Sequence, residues 1–99
     1  MLNERNVSSW LLKPCTDGIS IDVRPPQRYQ LNLLLLKDKL PDFYKSDFIT
    51  PNLAILYNAD SIKITLYQSG RMLLETRNMD LAEILTKEII KFFNFANES

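Results

Sequence analysis

Histidine is absent from the 99-residue sequence. That removes the side chain most often used as a general base near neutral pH and most often found on a transition metal. Cysteine occurs once, as Cys15, so neither an internal disulfide nor a cysteine-based zinc cluster can form. Cys15 reads as a small, partly buried thiol. No apolar run approaches the ~20 residues that span a bilayer; LNLLLLKDKL (31–40) is short and carries charges. The start, MLNERNVSSW, has Glu4 where a secretory signal is basic and lacks an apolar core. Neither sign of charge is in excess, with 12 basic and 12 acidic residues. That argues against a strongly basic nucleic-acid binder but leaves room for a local basic face. Asp22, Asp60 and Asp80 lack the spacing of metal ligands. These absences predict a non-enzymatic, intracellular protein, cytoplasmic or in the nucleoid or nucleus. No cofactor, metal, membrane or small-molecule substrate is expected.

What is present is an ordinary globular balance, 45% apolar and 24% charged. A chain this short buries one core with little stability to spare. TDGISIDVR (16–24) alternates, Ile19, Ile21 and Val23 against Ser20, Asp22 and Arg24, as a half-buried strand does. Pro25-Pro26 ends it and suits the first turn of a helix. The spacing of Tyr29, Leu33, Leu36 and Leu40 predicts that helix over 26–39, with Pro41 beyond it. A short edge strand around 47–50 comes next. NLAILYNAD (52–60) and SIKITLYQ (61–68) read as strands joined at Asn58-Ala59-Asp60-Ser61. Ser69-Gly70 turns the chain into RMLLETR (71–77). The last segment, 79–94, is an amphipathic helix with Asn78 as N-cap and Asp80 in its first turn. Leu81, Ile84, Leu85, Ile89, Phe92 and Phe93 form its inward stripe.

The order predicts an α+β domain over 16–95, β-α-β-β-β(-β)-α: a curved antiparallel sheet of four to five strands with two helices on its convex face. Residues 1–15 form a leader packing on the domain or its edge strand, and 96–99 a tail. Ile19, Ile21, Val23, Ile62, Ile64, Leu66, Met72 and Leu74 belong under the helices. Ser20, Asp22, Lys63, Thr65, Tyr67, Arg71, Leu73 and Glu75 belong on the open face.

In this order, ISIDVRPPQRYQLNLLLL, TPNLAILY, ITLYQSGRMLLET and LTKEIIKFFNF resemble one repeat of the TATA-box-binding protein (TBP) family. The Ser-Gly-Arg-Met turn is the most specific piece. The resemblance implies a half-saddle whose concave face meets a widened DNA minor groove, with wedging aromatics and phosphate-reaching cations. Tyr67 then stands at a wedge phenylalanine, Arg71 at the hairpin lysine and Leu73 at a groove-contacting valine. Lys63 and Thr65 complete the nucleic-acid-binding set. Thr50 or Ile49 falls near the other wedge, which is lost; Thr16, Gly18 and Glu75 replace a groove-reading asparagine, a valine and a threonine.

A lone repeat leaves its first strand with an open edge. Either two copies pair there, through Ser20 and Asp22, or the leader 5–14 folds over it; the small core favours the homodimer. Two functions follow. One is DNA binding through the concave face, in the setting of transcription or replication proteins. The other is protein–protein assembly that keeps the fold without the groove chemistry. The same open face also fits the solvated side of an antiparallel sheet.

Overall fold

In the predicted strands every second side chain is apolar, and in the computed structural model, which describes residues 4–96, these alternations become one antiparallel sheet. Its strands are Arg5–Val7 (β1), Trp10–Pro14 (β2), Ile21–Arg24 (β3), Lys45–Ile49 (β4), Leu53–Tyr57 (β5), Lys63–Tyr67 (β6) and Met72–Leu74 (β7). Their spatial order is β1-β2-β3-β7-β6-β5-β4. Two helices follow, Met79–Ile90 (α1) and Phe93–Ala96 (α2). The α+β class stands, but the sheet has seven strands rather than four or five. Residues 97–99 of the predicted tail lie outside the described residues, and Ala96 is buried in α2.

The two additional strands, β1 and β2, come from the stretch read as a leader. Val7 pairs with Trp10 across a two-residue turn, Ser8-Ser9. Both serines have positive φ, 50° and 71°, the handedness that matches the twist of a tight hairpin. Strand β2 then pairs along β3, Leu11 with Arg24 through Pro14 with Ile21, while β7 takes the other side of β3. The open edge expected at Ser20 and Asp22 is therefore filled from within the chain. Asp22 sits between Lys13 and Leu73, and both Ser20 and Asp22 are buried. Pairing of two copies through this strand has no ladder left to join. The outer strand β4 carries Lys45, Asp47 and a bulge between Ser46 and Phe48, features that blunt an edge.

Ile19 is the first departure in face assignment, 48% exposed. The β2–β3 turn explains it. Gly18 has φ 75°, and Asp17 Oδ1 accepts from the Ile19 and Ser20 amides at 2.9 and 3.1 Å. This Asx turn lifts 16–19 out of the sheet, so the alternation starts at Ile21. Ile21, Val23, Ile64, Leu66, Met72 and Leu74 are buried on the helix side as expected, and Ile62 is half-buried against them.

No α-helix occupies 26–39. Beyond Pro26 the crossover runs extended: the Tyr29 amide donates to Ser69 O (2.9 Å) and the Leu31 amide to Gln68 O (3.0 Å). Asn32 and Leu33 donate to Ala96 O and Pro51 O. Only Leu33–Leu36 coils, as one 3-10 turn whose Leu34 amide Asn32 Oδ1 accepts. Leu31 and Leu33 are buried two residues apart, a strand's period, while Leu34 and Leu35 are exposed. Backbone partners from three distant segments outweigh the helical preference of the leucines.

The closing helix behaves as read at its start. Asn78 Oδ1 accepts from Leu81 N at 3.1 Å, and Glu83 and Lys87 form an i,i+4 pair at 3.5 Å. Leu85, Ile89 and Phe93 are buried, but Ile84 is 54% exposed. Arg5 of β1 reaches Asp80 and Glu83 of α1. Tyr44 donates from its hydroxyl to Glu88 Oε1 at 2.8 Å; burial, then the Glu88 carboxylate, raises the phenol's pKa above its ordinary value. One buried polar atom among the described residues has no partner, Thr86 Oγ1. Thr86→Val keeps the shape and removes an unpaired hydroxyl, so it should stabilise the fold by about 1 kcal/mol. A thermal melt would read that as a rise of about 4–8 °C.

Candidate nucleic-acid interface

The crossover, the 3-10 turn, α1 and α2 share one core, built on the Leu12, Val23, Leu66 and Met72 side of the sheet. The other side has no layer over it among the described residues. Strand register lays out its side chains, because directly paired residues share a face. One row runs Lys13, Asp22, Leu73, Thr65, Ile55, Phe48. A second runs Leu11, Arg24, then Arg71, Tyr67, Leu53. A third includes Glu75, Lys63, Tyr57 and Lys45. The five residues singled out in the sequence, Lys63, Thr65, Tyr67, Arg71 and Leu73, thus lie together on this face. Thr65 is the direct partner of Leu73.

Tyr67 and Arg71 flank the Ser69-Gly70 turn, and the Tyr67 amide donates to Arg71 O at 2.9 Å. The pairing brings the Arg71 guanidinium 5.5 Å from the centre of the Tyr67 ring, within cation–π range. Arg71 Nε also donates to Asp22 Oδ1 at 2.8 Å, and Arg24 Nε donates to Asp22 Oδ2 at the same distance. The Asp22 side chain is 9% exposed. Burial alone would raise its pKa; hydrogen bonds from Arg71 and then Arg24 outweigh this and hold the carboxyl below its ordinary range. The same contact raises Arg71. Asp22 is therefore a strut for two arginines rather than a residue of a dimer edge.

A chain with no net charge concentrates Lys13, Arg24, Lys45, Lys63 and Arg71 on this face against Glu4, which pairs with Lys13 at 4.0 Å, Asp22 and Glu75. No protein-family model, curated protein or solved structure matches the chain. The likeness to the TBP family rests on the sequence motifs alone.

Several residues of this face were not singled out from the sequence. Leu53, Ile55 and Tyr57 are half-buried on the open face while Ala54 and Leu56 are buried beneath it; the alternation was there to divide them. Phe48, 48% exposed, faces the same way through the β4 bulge, which sequence period cannot register. It adds an exposed aromatic, beside the half-buried Tyr57 and Tyr67, near the wedge position expected to be lost. Neither residue expected there is available. Thr50 Oγ1 is spent in its turn, donating to Leu53 O and accepting from the Asn52 and Leu53 amides, and Ile49 pairs with Ala54 on the core side.

Other chemistry finds little to build on. Burial raises the Cys15 pKa, with Asp17 and Asp22 adding to it, the opposite of an activated thiolate. Among the described residues no group of three His, Cys, Asp or Glu side chains is placed to hold a metal ion. None of their helices is long and apolar enough to cross a membrane.

Proposed function

We propose that this chain is a non-enzymatic, TBP-like module that binds DNA through the open face of its sheet. The observation that carries the reading is the uncovered row in which Arg71 overlies Tyr67, with Phe48, Tyr57 and four further cations on the same face. Aromatic rings accept bases by stacking, and cations track the phosphates. The Asp22 strut fixes two of the arginines, which lowers the ordering cost on binding. The TBP resemblance would make transcription the setting.

Fluorescence anisotropy with labelled AT-rich and random DNA, duplex and single-stranded, at two salt concentrations tests this. Binding should weaken steeply with salt. The Lys63→Ala/Arg71→Ala double variant should lose about tenfold or more in affinity, with a shallower salt slope. A protein that binds none of these DNAs at low salt does not have this function.

The second reading, a protein-assembly surface, is favoured by one feature. Leu73, Ile55 and Phe48 lie in one row with no charged side chain between Asp22 and Phe48. Light scattering and partner capture by a DNA-silent protein would support it.

A further inference from the structure

Strand β3 ends at Arg24, and Pro25-Pro26 carries the chain off the sheet. The crossover returns beside the β6–β7 turn, where the Tyr29 amide meets Ser69 O. This geometry gathers Arg24, Arg28 and Arg71 around one shallow, open cleft that Pro25, Pro26, Gln27 and Ser69 also line. A neighbouring depression shares Arg28 and Ser69 with it and is lined further by Tyr29, Gln30 and Gln68. Arginines at 24, 28 and 71 come from a strand end, a crossover and a hairpin turn, so nothing in the local sequence announces the cluster.

Two details make it more than a basic patch. Asp22 engages Arg24 and Arg71 through their Nε atoms. Among the described residues, the Nη atoms of both, and the whole Arg28 guanidinium, make no hydrogen bond or ion pair to protein. The donors that form bidentate bonds to phosphate oxygens are thus unspent and, for two of the three, held in place. The charge count is also specific. Three guanidiniums less one carboxylate leave about two positive charges, which match a phosphate monoester near −2 at neutral pH better than the single charge of an internal phosphodiester. The two prolines fix φ where the wall turns.

We propose that this cleft captures the terminal phosphate of a DNA strand, a phosphate monoester, at the end of the open face. Arg71 belongs to both sites, so a strand end anchored here would lay its first base toward the Tyr67 ring. The proposal rests on the DNA-binding reading for the rest of the ligand.

The test compares one DNA sequence ending in a 5′-phosphate, a 3′-phosphate or hydroxyls only, by anisotropy with the full chain. Inorganic phosphate and a nucleoside monophosphate are titrated in parallel against the arginine Nε signals by NMR. One phosphorylated end should bind about tenfold more tightly than the hydroxyl-ended strand. Arg28→Ala, at an exposed position outside the Asp22 pair, should erase that advantage and leave hydroxyl-ended affinity within about twofold. Equal affinity for phosphorylated and hydroxyl ends would overturn the inference and leave the open-face reading intact. A response to the monophosphate with no strand bound at all would overturn both and make a free nucleotide the occupant.

Discussion

Trp10→Ala should cost about 3–5 kcal/mol of folding stability, the range for truncating a large buried aromatic. Trp10 is 2% exposed and lies in the hairpin that the sequence reading placed outside the domain. Its ring stacks on Tyr29 at 5.6 Å, and both rings meet Phe93, at 5.5 and 5.6 Å. The three come from the hairpin, the crossover and α2, so this cluster ties together three segments distant in sequence. A domain of this size has about 5–15 kcal/mol in total; losing the central ring leaves it near the threshold of unfolding. Urea melts followed by circular dichroism would read the change, since Trp10 is the sole tryptophan and its fluorescence goes with it. A loss under about 1 kcal/mol would mean that the hairpin is dispensable to the core.

Gly70→Ala carries the second large effect. Gly70 has φ 95°, and a Cβ there would stand 2.7 Å from Tyr29 Cδ2. The backbone conformation costs an L-residue about 1–2 kcal/mol, and the collision with a ring packed between Trp10 and Phe93 adds about 1–3 kcal/mol. Gly18→Ala separates the two contributions, because Gly18 has φ 75° but nothing within 4 Å of its would-be Cβ. Gly70→Ala should therefore be the more damaging of the pair in the same melts, by the packing share alone. Equal losses would show that Tyr29 yields freely.

The turn at Ser69-Gly70 also shows what sequence pattern can and cannot reach. Its glycine and flanking alternation announced a hairpin, as Asn58 announced the turn where its Oδ1 accepts from the Asp60 and Ile62 amides. Strands β5, β6 and β7 and the Asn78 cap were legible for the same reason: local chemistry and tertiary burial agree there. The crossover was misread because Leu33, Leu36 and Leu40 satisfy a helical spacing, while the partners that hold it extended, Ser69, Gln68, Ala96 and Pro51, are distant in sequence. Hairpin β1–β2 was missed because Ser8-Ser9 adopts a left-handed turn normally marked by Asn or Gly. On the open face, alternation sorted Tyr67 from Leu66. The Asp22–Arg71 bond spans 49 positions, and no periodicity carries that information.

The central claim is that one face of the sheet is sealed and the other receives DNA. NMR shift mapping during a DNA titration tests it most directly. The account predicts perturbations at Ile55, Thr65, Tyr67, Arg71 and Leu73, with Ala82, Leu85 and Ile89 of α1 unmoved; perturbations confined to α1, or none on the open face, would contradict it.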